Sequence, residues 1–456
     1  MTDISSLQRP TPRGMVAPTS DKVPVVILIL LISVIMVPVE LGFNIGPLFF
    51  TWSKLFLIIF AFVMLPKIAA LKLQIYDWMF IGHGLWSATA FVVIYGPGAA
   101  VERSGTYILE FIVVYLAARV YLTNIGQIQA VIRLLFIMVL VAAIAALPEA
   151  VMRVRYIHNF ATSITGIRYR FDNEVRMGIM RAASFFEHPI LHGIFCSSLF
   201  SLVWFTSTLR QRILRVPVIG LGTFLAASSA PLLILMLQIM LLGLERVTRR
   251  IKRRVMIITS IAVGGAAFLN IFSGRGVVGF LALVTLNPGT AYTRRSQWEF
   301  GIDDVMRHPI FGFDTPTWTR PFWLAGSVDN YWLFMMMRSG IPSVLLLAGA
   351  AYFIWSRLAR NETTLPAFRQ MRMGWGLMMV ALILGGATVA YFGKLQPLFA
   401  FYIGLGAALA SNPLPDENQP LPEAQAVQDR SPRYSRFAPR LAKTPPPLAS
   451  HRARKL

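Results

Sequence analysis

Apolar runs of membrane-spanning length recur along this chain from Val23 to Ala410, and no other feature limits its fold so strongly. A helix needs about 20 mostly apolar residues to cross some 30 Å of hydrocarbon. A soluble protein of 456 residues has no core able to hide so many such runs. The chain therefore reads as an all-α, polytopic membrane protein. Strand alternation is absent, which argues against a β-barrel. The single cysteine, Cys196, lies inside an apolar run and excludes an internal disulfide or a thiolate metal site.

The net charge of +22, from 43 Lys+Arg against 21 Asp+Glu, raises nucleic acid as a partner. Placement argues against it, because the positive residues collect near span ends, where they orient helices with their basic side in the cytoplasm. Spans are expected at Val23–Val39, Phe49–Leu65, Trp78–Tyr95, Tyr107–Leu122, Leu134–Leu147, His188–Ser207, Val255–Phe272, Ile341–Trp355, Gly374–Phe392 and Leu395–Ala410. Val216–Leu244 is expected as a helical hairpin tipped at Ser228–Pro231. One long span would put Arg210, Arg212 and Arg215 on the opposite face from the Arg246–Arg254 cluster. The total is about twelve spans with both termini cytoplasmic. Residues 1–22 form an inner segment ahead of an uncleaved signal anchor. Residues 23–411 form the helical domain, with outer loops at 149–187 and 274–340. The Pro- and Arg-rich tail, 412–456, is expected to be disordered.

Those two outer loops break the charge rule. One carries Arg153, Arg155, Arg168, Arg170, Arg176 and Arg181. The other carries Arg275, Arg294, Arg295, Arg307 and Arg320, with Arg338 in the next apolar run. Neither contains lysine. The guanidinium fork matches phosphate oxygens in a way that an ammonium does not, although arginine-rich coding bias also fits the pattern. Within the second loop, Trp298, Ile302 and Val305 fall at helical spacing, predicting a helix over Ala291–Arg307 that Pro309 and Gly312 end. His308 suits a base or a helix cap. Trp298 and Trp318 suit stacking on sugar or an interfacial aromatic belt. Asp329 is a candidate base or N-cap. Arg338 interrupts WLFMMM-R-SGIP, where charge is costly and marks a site. Ser339, Gly340 and Pro342 should break the helix beside it. His188 and His192 share metal-ligand spacing beside Glu187, but two histidines without a third convergent ligand read better as a hydrogen-bonded cap.

Taken in order, RRSQW from Arg294, the HPIFGF run and DNYWLFMMMRSGIP resemble the O-antigen ligase and Wzy-type polymerase family of bacterial envelope enzymes. RAASFFEHPILHG and the Ser228–Ser229 tip match more weakly. Together they cover roughly Arg181 to Pro342. The resemblance implies cofactor-free, metal-independent glycosyl transfer at the periplasmic face of the bacterial inner membrane. It implies a polyprenyl-diphosphate-linked glycan as donor and a glycan acceptor. Arg181, Arg275, Arg294, Arg295 and Arg338 are then the diphosphate grips, with Asp329 the first and His308 the second candidate base. The family's ligases carry His-Asn where this chain has Asp329-Asn330, which favours a polymerase of O-antigen or exopolysaccharide over a ligase acting on lipid A core. Chain-length or export proteins would be further partners. A lipid-linked glycan flippase is the rival class, though charge concentrated at one face and the absence of repeated halves speak against it.

Overall fold

The computed structural model describes residues 22–46, 48–168, 173–248, 251, 264, 288–361 and 365–411. The expected span at Val255–Phe272, Arg275, Arg170, most of segment 1–22 and the tail 412–456 lie outside the described residues. The described chain is mostly helical: α1 (Lys22–Ile35), α2 (Trp52–Ala69), α3 (Ile75–Tyr107), α4 (Val114–Tyr121), α5 (Ile125–Met152), α6 (Tyr156–Thr165), α7 (Pro189–Ser198), α8 (Phe200–Thr206), α9 (Leu209–Leu225), α10 (Ser229–Thr248), α11 (Pro288–Arg307), α12 (Tyr331–Arg360), α13 (Pro366–Gly385) and α14 (Leu395–Ser411). Two antiparallel strand pairs, Phe43–Ile45 with Leu48–Phe50 and Val175–Arg176 with Ile179–Met180, are too short to form a layer.

Among the described residues, six helical runs are long and apolar enough to cross a membrane: Trp52–Ala69, Ile75–Tyr121, Ile125–Met152, Pro189–Thr206, Ser229–Thr248 and Tyr331–Arg360. Their large apolar side chains point outward as well as inward. Phe62, Ile144, Leu214, Met240 and Leu345 are each more than half exposed. A water-soluble surface avoids such a continuous apolar coat, whereas a helix in lipid satisfies its own backbone and loses nothing by it.

The first of two glycine breaks shapes the run from Ile75 to Tyr121. Gly96 (φ 76°, ψ 160°) precedes Pro97 and interrupts α3. Beyond it the chain returns antiparallel to itself. His83 Nε2 lies 2.7 Å from the Tyr107 hydroxyl, Phe80 stacks on Phe111 and Tyr115, and Ser104 bonds the Ala88 carbonyl. Near the base of this hairpin Arg119 donates twice to Asp77, from Nε at 2.7 Å and Nη2 at 2.9 Å, and Tyr115 adds a third bond at 2.6 Å. Arg119 is buried, at 4% exposure. Removing one member of such a pair strands the other charge, at a cost of about 3–5 kcal/mol.

The expected hairpin at Val216–Leu244 is present. Helix α9 ends at Leu225, the chain turns through Ala226–Ser228, and α10 returns. Arg212 from α9 and Glu245 and Arg246 from α10 line one cavity of about 1080 Å³, so Arg212 and Arg246 share an end of the bundle. The expected loop from Glu149 differs, because α5 continues to Met152 and α6 follows. Glu149 is buried in the last turns of α5, where it pairs with Arg155 and accepts from the Ala183 and Ser184 amides.

The second break is Gly340 (φ 75°, ψ 171°) within α12. Its backbone angles nearly repeat those of Gly96, and the effect is the same. Trp332, eight residues before it, lines the same 300 Å³ cavity as Leu347 and Ala348, seven and eight residues after it. The turn is clamped by the loop after α11: Ile341 N–H donates to the Pro309 carbonyl at 2.8 Å, and Phe313 N–H to the Met337 carbonyl at 2.7 Å. A Cβ at Gly340 would overlap the Ile310 carbonyl. Gly340→Ala is therefore expected to cut the yield of monodisperse protein in detergent several-fold, measured by size-exclusion chromatography. Gly98→Ala, with open space at its Cβ and no positive φ, should match the wild type.

Candidate functional site

Arg338 sits two residues before the Gly340 turn. Its guanidinium carbon lies 4.4 Å from the centre of the Phe91 ring, 5.2 Å from Tyr107 and 5.9 Å from Phe334. Ring faces attract a cation but take none of its N–H bonds. Among the described residues Arg338 makes no hydrogen bond or ion pair. A half-buried guanidinium with its donors unused is costly unless a ligand supplies acceptors.

Helix α11 carries the second unsatisfied arginine. Arg294 is only 4% exposed, and its Nε has no hydrogen-bond partner. Asp329 is its electrostatic neighbour, yet no direct ion pair joins them. Burial holds the Asp329 carboxyl above the usual range, with the Arg294 charge pulling it down. The N-cap of α12 is Asn330, whose Oδ1 accepts from the Trp332 and Leu333 amides at 3.1 Å. Capping therefore leaves the Asp329 carboxylate unengaged. Its backbone N–H is fixed by Gln297 Oε1 at 2.9 Å, which ties α11 to the start of α12.

Other sequence candidates are placed differently. Arg295 is exposed and pairs with Glu299 one turn on, at 2.7 Å. Trp298 is partly exposed on α11. Trp318 is buried with Val305, Leu324 and Met337, its Nε1 bonded to the Gly326 carbonyl, so its ring belongs to the loop's own small core. His308 follows α11 as an exposed side chain against Phe313, with no contact to Asp329 or Arg338. Arg181 is buried 2.7 Å from Glu174 and reaches the Ala226 carbonyl, while Arg155 holds Glu149 and Arg176 holds Glu174. The first arginine loop is thus largely satisfied from within. His188 caps α7, its Nδ1 accepting from Ile190 N–H, and His192 is buried against Cys196. Among the described residues no three His, Cys, Asp or Glu side chains converge on a metal position.

One cluster went unnoticed in the sequence. Lys54, Glu110, Glu187 and Lys394 line a cavity of 230 Å³ together with Thr51 and Thr106. Lys394 bonds the Phe185 carbonyl and lies 3.9 Å from Glu187. Its amine is pulled down by burial and supported by Glu187 and Glu40. Glu40 in turn pairs with His158 at 2.7 Å. Charge inside the expected spans Phe49–Leu65 and Tyr107–Leu122 was the signal available: Lys54 and Glu110 both lie within apolar runs.

No protein-family model matches the chain, and no curated protein matches it.

The Glu40–His158 pair makes a pH test available. Burial pushes the Glu40 carboxyl up, but the hydrogen bond and charge of His158 outweigh it and leave the group below its ordinary value. A carboxyl depressed on folding contributes stability that is complete above its unfolded pKa and is lost as pH falls through the folded one. Thermal unfolding in detergent should therefore show stability falling on acidification below the usual carboxylate range. His158→Ala, which removes the buried hydrogen bond to Glu40, should destabilise the chain by about 1–3 kcal/mol and flatten that acid limb.

Proposed function

We propose that this chain is a polysaccharide polymerase of the bacterial inner membrane. It crosses the bilayer about twelve times with both termini in the cytoplasm. At the periplasmic face it transfers a polyprenyl-diphosphate-linked glycan onto an acceptor glycan. The observation that carries the reading is Arg338: a cation with unused donors, kept in a glycine-broken apolar helix and followed by SGIP as in the resembling family. The unpartnered Nε of Arg294 in the RRSQW motif supports it.

In such a transfer the acceptor hydroxyl attacks the anomeric carbon while the carbon–oxygen bond to the diphosphate breaks. Negative charge grows on the leaving diphosphate, and fixed cations stabilise it more in the transition state than in the ground state. Arg338 and Arg294 fill that role with little reorganisation, since aromatic walls and helix packing already hold them. Arg294 and Asp329, neighbours that form no ion pair with each other, are the groups offered to a hydroxyl or phosphate oxygen of the glycan. A metal is not required, because the guanidinium groups supply the positive charge.

The test follows glycan chain length in a deletion strain carrying variants matched for membrane level. Arg338→Ala is expected to lower extension by about 10²–10³-fold. Arg338→Lys should rescue it poorly, since an ammonium lacks the fork. Arg295→Ala should cost less than threefold. Normal long-chain polymer from Arg338→Ala would sink the site. Donor trapped on the inner leaflet in the deletion strain would point to a flippase, and polymer made but left off lipid A core would point to a ligase.

A further inference from the structure

The 230 Å³ cavity beside Glu110 is separate from the arginine positions described above and has a construction of its own. Glu110 lies in Ile108–Val113, a six-residue π turn between α3 and α4. A π turn shifts the side chains after it out of α register and is found mostly where function requires it. Here it places Glu110 on the cavity wall while Phe111 stays stacked on Phe80 and Tyr107. Opposite, Gly393 (φ 51°) leaves the room that Glu187 fills, since a Cβ there would sit 2.8 Å from Glu187 Oε2. Glu187 is engaged by Lys394 through both backbone and side chain. Glu110 has no hydrogen bond or ion pair among the described residues, although it faces the charges of Lys54, Glu187 and Arg338. Tyr107, whose ring walls Arg338, is one helical turn before Glu110. The charge of Arg338 therefore reaches Glu110, although Arg338 itself does not line the cavity.

We infer that this cavity receives a hydroxyl-bearing ring of the acceptor glycan and that Glu110 is the base that takes the attacking hydroxyl's proton. The inference rests on the proposed transferase reading. The volume is below the 300 Å³ or so of a drug-sized pocket, which suits one sugar ring rather than an oligosaccharide. Thr106 supplies a hydroxyl partner, Lys54 has donors beyond the one that holds the Phe49 carbonyl, and the Glu187–Lys394 pair positions the far wall. In the step, the acceptor oxygen forms the new bond to the anomeric carbon. The bond from that carbon to the diphosphate oxygen breaks, its electron pair leaves with the diphosphate, and the hydroxyl proton moves to the Glu110 carboxylate. Water then removes that proton. No oxidant, metal or co-reactant is needed. A positioned base of this kind contributes about 10²–10⁴-fold.

The experiment measures chain extension as a function of pH in membrane vesicles from a deletion strain complemented with the full chain, supplied with lipid extract from the uncomplemented strain. The wild type should lose activity on acidification as Glu110 protonates; Lys54, Lys394, Glu187 and Arg338 are the charged groups that face it. Glu110→Gln is expected to lose extension at least tenfold and to lose the acidic limb from its residual rate. Asp329→Asn should lower extension but keep the limb. A Glu110→Gln loss of less than tenfold, or a larger loss with the limb intact, overturns the inference. If that variant fails to reach the membrane, dicyclohexylcarbodiimide on the wild type decides instead: inactivation should track modification of Glu110 by peptide mass spectrometry, and inactivation without Glu110 label overturns it. If deleting the gene leaves every surface glycan unchanged, the transferase reading has failed. The carbodiimide labelling of purified protein, which needs no substrate, then still reports whether Glu110 is an open carboxylate, and absence of label overturns that as well.

Discussion

Charge placed among apolar helices must be answered by a partner or by a ligand, and the whole structure can be read from how each charge is answered. Asp77 and Arg119 answer each other bidentately and hold the α3–α4 hairpin at its base. Glu149 and Arg155 fasten the loop after α5, and Glu40 and His158 fasten α6 to the turn after α1. Each of these charges has its ion-pair partner in the fold. Arg338, Arg294, Asp329 and Glu110 are different, since each keeps hydrogen-bonding capacity that no described residue fills. The buried, unpartnered Nε of Arg294 carries the clearest desolvation cost among them. Arg338 and Glu110 act on each other beside the Gly340 turn and the π turn, and Arg294 and Asp329 are neighbours at the start of α12.

Backbone exceptions do the positioning. Gly96 and Gly340 adopt almost the same left-sided φ, which only glycine takes without strain. Each turns a helix back on itself inside one run of apolar sequence. The π turn at Ile108–Val113 has a smaller effect, rotating one carboxylate onto a cavity wall. Regular helix supplies the scaffold, and three departures from it aim the functional groups.

The second arginine loop behaves as a small folded unit. Val305, Trp318, Leu324, Val328, Leu333 and Met337 form its core, and Gln297 bridges α11 to Asp329 and Ser327. Aromatic residues that suggested a sugar platform are divided by this packing: Trp318 is inside and Trp298 remains partly open.

Sequence alone determined the helical class, the approximate helix positions and the break at Gly340, because apolar length, charge flanking and glycine–proline punctuation are local properties. It also singled out Arg338, since charge within an apolar run is conspicuous in one dimension, while Arg294 was one of several arginines in a lysine-free outer loop. Tertiary structure decided which charges are already answered. Arg181 looked equivalent to Arg294 until Glu174 and the Ala226 carbonyl were found around it. For Asp329 the sequence allowed either a base or an N-cap, and it is Asn330 that does the capping. Glu110, Lys54 and Lys394 come from three distant segments, and only packing brings them onto one cavity. Whether a charge has a partner depends on what lies across a helix interface, and no local pattern carries that information.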